Sequence, residues 1–252
     1  EKSIARAITA AGEKGWKKII AYNLSGHRFL GCGLCRSDSR IDLYGSSGDY
    51  SGSGLISTNV FFHSDAQDQL GQIMKSGRLV VYGDVGQTFL YGAKGGEVYI
   101  LGNTAGRPLI NAVGKPKVVI NGTCLDYLAE SFMAGDPLNG GGFAIVNCIE
   151  FDRHGNFCNL KTPYPGGNLF SLASGGAIYI RDPYNKLEEN QLNGGRYSKL
   201  SNKDWDLIYP YLKENQELFG IKISDLLTIN NQRRQPSEIY KKVEVGNNEV
   251  LQ

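Results

Sequence analysis

IDLYGSS from Ile41, VFFHSDA from Val60, LVVYGDV from Leu79, VYILGNT from Val98 and VVINGTC from Val118 are five renderings of one phrase. Their starts lie 19, 19, 19 and then 20 residues apart, and each joins an apolar alternation to a Gly, Asp or Asn corner. A fixed short period that carries strand patterning and no helix implies stacked coils, each burying a face it cannot bury alone.

Alternate residues of a strand point to opposite faces. Ile41/Leu43, Val60/Phe62, Leu79/Val81, Val98/Ile100, Val118/Ile120 and Ile178/Ile180 are therefore expected inside, as columns of one solenoid core. Second halves such as DQLGQIMKSG from Asp68 and TFLYGAKGG from Thr88 close each coil. The 33 glycines among 252 residues recur at set places in the repeat, which marks them as turn residues such as Gly45, Gly83, Gly102 and Gly122. A left-handed hexapeptide helix needs an aliphatic residue every six positions, and this spacing is not hexadic. A mainly β, single-stranded right-handed parallel β-helix fits it better.

Outside the array the period changes. Ile4, Ala7, Ile8 and Ala11 have helical spacing, so Lys2–Ala11 is expected to be a short helix ended by Gly12 and Gly15. KKIIAYNLSGHRFLGCGL reads as an irregular first coil. Ser201 with Asp204 three residues later, and Gly220 after the last apolar residue, bound a second helix containing Pro210. A shorter helix is expected at 224–227 and an extended arm beyond Asn230. The resulting division is residues 1–18 as a helical cap, 19–182 as the β-helix, and 183–252 as C-terminal helix and tail. The longest insertion, Asp152 to Asn168, interrupts the late coils.

A net charge of +2 from 27 basic and 25 acidic residues, with no basic stripe, argues against nucleic acid and anionic membrane as partners. No apolar run approaches the ~20 residues that cross a bilayer, and a cytoplasmic protein is expected. Five cysteines, Cys32, Cys35, Cys124, Cys148 and Cys158, are an odd number that speaks for reduced thiols. Cys32 and Cys35 have CxxC spacing, but they lie in a repeat turn without a second CxxC, and His27, His63 and His154 are scattered. Buried structural thiols are expected, with no metal site.

GDVGQTFLYGAKGGEVYILGNTAGRP from Gly83, with VVINGTCLDYLAESFMAG from Val118, resembles the GXGXG β-helix domain at the C-terminal end of the glutamate synthase large subunit. It is similar, more weakly, to the formylmethanofuran dehydrogenase component that shares this domain. Gly83, Gly86, Gly92, Gly96, Glu97, Gly102, Gly106 and Arg107 fall on the positions of the family phrase, whereas Ile73 replaces the second Gly of a GxG and Cys124 and Leu125 stand where Gly is commoner. The resemblance implies a non-catalytic structural subunit that binds no cofactor itself. Its expected partners are an FMN and iron–sulfur synthase subunit and a glutamine amidotransferase subunit, or a second copy of itself. N-methylglutamate synthase is a close variant of that reading.

Ser46, Asp65, Asp84, Asn103 and Thr123 share one repeat position, which stacks Asp65 and Asp84 ~4.8 Å apart. Such a pair can hold a cation or serve a free-standing carbohydrate-active enzyme. The plainer reading is a turn ladder in which each side chain bonds its own backbone, since Asn and Thr continue the column. On the outward face Asp42, Phe61, Val80, Tyr99, Val119 and Tyr179 form a column too apolar for solvent. Two covers fit it: a partner subunit anchored on Phe61, Tyr99 and Tyr179, or the terminal helices through Ile4, Ile8, Trp205, Ile208 and Leu212.

Overall fold

The computed structural model describes residues 3–246. Helix α1 (Ile4–Glu13) begins at Ser3, whose hydroxyl accepts the Arg6 N–H at 3.3 Å. It starts and ends two residues later than the pattern predicts, and Lys2 lies outside the described residues. Gly12 falls inside the helix, not after it; a Cβ there would sit 2.7 Å from Leu34 Cδ2, so the glycine serves the helix's close approach to the first coil. Of the stretch expected to be an irregular first coil, Lys18–His27 forms a strand, β1, whose pairing register shifts between Ala21 and Leu24 and between Ser25 and His27, and the rest is turn.

The array follows as β2 (Arg40–Ser47), β3 (Asn59–Phe62), β4 (Arg78–Val81), β5 (Glu97–Ile100), β6 (Lys117–Ile120) and β7 (Phe143–Val146). The first half of the long insertion is the turn and second strand of a separate antiparallel hairpin, β8 (Ile149–Phe151) with β9 (Phe157–Asn159), and β10 (Ala177–Arg181) then resumes the stack. Beyond it come β11 (Gly195–Lys199), α2 (Asn202–Phe219), α3 (Ile223–Leu226), β12 (Thr228–Ile229), β13 (Gln232–Arg233), α4 (Pro236–Ile239) and β14 (Tyr240–Val245).

The fixed period sets the register. Ile41, Val60, Leu79, Val98 and Val118 are successive partners in parallel pairing, and so are Leu43, Phe62, Val81, Ile100 and Ile120. All ten sit in the solenoid interior at 0–1% exposure, as the alternation requires. The main sheet runs β1-β2-β3-β4-β5-β6-β7-β10-β14-β11. The expected extended arm is thus mostly structured: β14 pairs antiparallel with β10, and β11 pairs with β14. Residues 247–252 of that arm lie outside the described residues. These added strands pair the last coil's edge, a device that limits edge-to-edge aggregation.

Helix α2 is built as its sequence dictates. Ser201 and Asp204 form a capping box, and Gly220 ends the helix in the left-handed region at φ 75°. Pro210 does not end it, because that residue is on the exposed face, where water can bond the carbonyl its missing N–H leaves free. The buried face is Asp204, Ile208, Leu212 and Asn215. Among the described residues no helix is long and apolar enough to cross a membrane.

Candidate functional site

The stacked acidic column is the place where the repeat could carry chemistry, and its geometry is that of a joint between coils. Asp65 Oδ1 accepts the Asp84 N–H at 2.8 Å, Asp84 Oδ1 accepts the Asn103 N–H at 2.7 Å, and Asn103 Oδ1 accepts the Thr123 N–H at 3.0 Å. Asp68 Oδ1 does the same for Gln87 N–H at 2.8 Å. Each side chain bonds the next coil's backbone, which corrects the expectation that it bonds its own.

The joint explains the glycines beside it. A Cβ on Gly83 would lie 2.3 Å from Asp65 Oδ1, on Gly102 2.1 Å from Asp84 Oδ1, and on Gly122 2.3 Å from Asn103 Oδ1. None of the three has positive φ, so they are not turn glycines in the conformational sense; the carboxyl or amide of one coil occupies the volume of the next coil's side chain. Gly45 differs, with φ 102° and a Cβ that would meet Leu24 O at 2.4 Å.

The outward column is covered by the chain itself. Phe61, Val80, Tyr99, Val119 and Tyr179 are buried in a second core with Ile208 and Leu212 of α2 and with residues of α3 and α4. Of the two covers open to it, the column has the chain's own: α2 lies along it, so Phe61, Val80, Tyr99, Val119 and Tyr179 are not a free partner surface. Of the other residues expected to cover it, Trp205 packs at the margin, whereas Ile4 and Ile8 join the solenoid core instead.

A neighbouring outward column escaped the sequence reading, although it is simply the residue before each corner: Tyr44, His63, Tyr82, Leu101, Asn121. Tyr44 stacks on His63 with ring centroids 4.0 Å apart, and His63 on Tyr82 at 5.1 Å. Asn121 is wholly buried and fully bonded. Its amide donates to Ile100 O at 2.8 Å and Asn215 Oδ1 at 2.9 Å, while its Oδ1 accepts from Asn147 at 2.8 Å and Asn215 at 2.9 Å. Tyr240 O–H completes the set by donating to Asn147 Oδ1 at 2.8 Å.

Two carboxylates tie charge into these layers. Arg40 grips Asp42 through two bonds of 2.8 Å, and with His63 Nε2 at 2.9 Å it holds the Asp42 carboxyl below the usual range. Burial pushes Asp204 up, but Ser201, Tyr179 (2.8 Å) and Lys242 (3.1 Å) outweigh it and hold that carboxyl low as well. A depressed native pKa adds stability that is present above the unfolded value of ~3.9 and lost as pH falls through the native one. Urea unfolding across a pH series should therefore show stability falling below about pH 4, with a shallower fall in Asp204→Asn. An unchanged slope would remove Asp204 from the account.

A surface groove of ≈ 730 Å³ runs along the strand starts past Arg40, Arg78, Glu97, Lys115 and Lys117. Its cations are mostly engaged: Arg78 bridges Glu97 at 2.7 Å and Glu214 at 2.5 Å, and Lys117 Nζ donates to Gly141 O. Of the cysteines, Cys124 and Cys148 are buried, with their thiols pushed up by desolvation. Cys35 is exposed, contrary to the expectation of a buried pair. His27 and His154 are exposed too.

One further regularity runs through every coil. Three alternate residues have positive φ: Phe29, Gly31 and Gly33; Tyr50, Gly52 and Gly54; Gln69, Gly71 and Ile73; Thr88, Leu90 and Gly92. The pattern continues through Arg107, Leu109 and Asn111 to Tyr127, Ala129 and Ser131, and ends at Asn168, Phe170 and Leu172. In the five interior triplets the first and third N–H donate forward and the middle one backward. Thr88 thus reaches Gly106 O, Gly92 reaches Ile110 O, and Leu90 reaches Leu70 O. The triplet bonds both neighbouring coils at once, and that is the structural content of a glycine-x-glycine repeat. The model of the GXGXG motif family matches residues 15–236.

The chain belongs to the GXGXG family. It is also similar to an uncharacterized protein of Methanocaldococcus jannaschii, at 28% identity over 210 residues, or 81% of this chain and 75% of that protein. In this GXGXG domain the early triplets are rich in glycine and the late ones have none. Side chains there carry strain of ~1–2 kcal/mol per residue. Where the middle residue is buried, as Leu90, Leu109 and Phe170 are, packing offsets it. Ile73 and Leu172 are 47% and 76% exposed and have little such return. Ile73→Gly and Leu172→Gly should each raise stability by about 0.5–1 kcal/mol in chemical denaturation, and a loss from both would refute the strain argument.

Proposed function

We propose that this GXGXG domain is a non-catalytic scaffold subunit of a glutamate-synthase-like oxidoreductase, bound to FMN and iron–sulfur partner chains and an amidotransferase. What supports the reading is how the motif residues are used. The repeated Asp, Asn and Gly side chains and backbones are spent on joining coil to coil, which suits a rigid spacer, and the resemblance names the enzyme class in which such a spacer serves.

The docking surface in this reading is the end of the sheet that α2 leaves uncovered. Ile20 and Tyr22 lie at alternate positions on the outward side of β1, at 54% and 73% exposure, with Trp16 (60%) just before the strand and Tyr44 (43%) on β2. Exposed aromatics of this kind are typical interface anchors. Affinity purification of the tagged chain from its native cell should bring down flavin and iron–sulfur chains with their visible spectrum. Tyr22→Asp should lose them at an unchanged melting temperature. A colourless chain recovered alone would sink the proposal, and recovery of a second copy only would replace it with self-association.

A further inference from the structure

Arg181 closes β10 and, by alternation with Ile178 and Ile180, faces the outer layer of the sheet. It is wholly buried. Its Nε donates to Leu226 O at 2.8 Å, but neither Nη1 nor Nη2 has a hydrogen-bond partner among the described residues. Asp182, next in the chain, does not serve. Its carboxylate is taken by Lys241 Nζ at 2.9 Å and by the N–H groups of Lys186 at 2.7 Å and Leu187 at 3.0 Å. The titratable groups that act on Arg181 electrostatically are Tyr240, Cys148 and Tyr184, two phenols and a thiol, types that carry no charge near neutral pH. The ring of Phe157, on the β8–β9 hairpin, lies 5.5 Å from the guanidinium carbon.

A guanidinium stays protonated in proteins, and a buried charge without a partner is strongly disfavoured. Burial is therefore consistent with folding only if something of opposite charge, or well-bonded water, meets the two free nitrogens. Their N–H groups present the fork that takes a carboxylate through two parallel bonds or a single halide between them. We propose that Arg181 Nη1 and Nη2 form a buried binding site for a small monoanion, a halide or a carboxylate, between β10, the β8–β9 hairpin and α3.

The test uses the intact chain, with bromide and acetate as separate probes balanced at constant ionic strength against fluoride, the halide whose desolvation is too costly for a buried site. Raising the favoured probe from about 1 to about 100 mM should lift the melting temperature saturably by about 5 °C. Arg181→Met, close in volume and uncharged, should abolish that response, whereas Lys17→Met at the exposed surface should keep it. Crystals grown in bromide should show its anomalous scattering within hydrogen-bond distance of Arg181 Nη if halide is the ligand. A response to acetate alone, with a bidentate carboxylate in density, would assign the carboxylate. Equal responses in wild type and Arg181→Met, or ordered water alone on both nitrogens with neither probe stabilising, would overturn the proposal. If Arg181→Met does not fold, the density on the wild-type guanidinium decides.

Discussion

Gly102→Ala is expected to cost this solenoid about 3 kcal/mol or more, beyond the usual overpacking range of ~1–3. The added Cβ would stand 2.1 Å from Asp84 Oδ1 and 2.9 Å from Gly83 O. The carboxylate cannot step aside without giving up its 2.7 Å bond from the Asn103 N–H, and the carbonyl belongs to the coil below. Gly106→Ala is the matched control. It lies four residues away, also without positive φ, and its Cβ would meet nothing nearer than Asp126 O at 3.8 Å, so it should be within about 0.5 kcal/mol of wild type. Combining Asp84→Ala with Gly102→Ala should recover part of the loss, because one of the two collisions disappears. Urea denaturation of the four proteins measures this, and a near-neutral Gly102→Ala would refute the inter-coil joint.

The second large effect is expected at Asn121. Leucine there removes a side chain that makes four hydrogen bonds and strands both amide ends of Asn215 and the donor of Asn147. Each stranded buried group costs ~1–3 kcal/mol, so a loss of about 3–5 kcal/mol is expected. Asn121→Leu combined with Asn215→Leu should lose less than the two single changes added together, since one partner's unmet groups are removed with the other's. A strictly additive pair, measured by the same denaturation cycle, would mean that the two amides are not coupled. The pair bonds the sheet to α2, so its failure should also free the helix, seen as faster amide exchange in α2 than in the solenoid strands.

The coils were legible because strand alternation and a constant return distance are local properties. Val98 and Ile100 face inward whatever lies beyond the sheet, since their neighbours one period away demand it. The glycines were only half legible. Gly102 advertises itself by its place in the phrase, but its reason, the Asp84 carboxyl of the coil below, is a contact between residues that sequence separates by a full turn. Thr88, Leu90 and Arg107 were opaque for the opposite reason: nothing in a threonine, a leucine or an arginine announces a left-handed backbone. They adopt it because the hydrogen bonds of two flanking coils require it.

The candidate site divides in the same way. That Phe61, Tyr99 and Tyr179 must be covered follows from their polarity alone, and the apolar face of α2 is visible in Ile208 and Leu212. Which cover they receive is a tertiary matter, settled by the path of the chain from β10 through β11 into α2, where Asn215 finds Asn121 and Asp204 finds Tyr179. The same path buries Arg181 beneath α3 and the hairpin, although its position at a strand end reads like a surface arginine. Sequence by itself determined the period, the inward columns and the need for a cover, because these depend on neighbours at fixed spacing. Only the tertiary structure decided what covers the sheet and which polar groups are sealed beneath it, because those depend on segments whose relative placement no local pattern encodes.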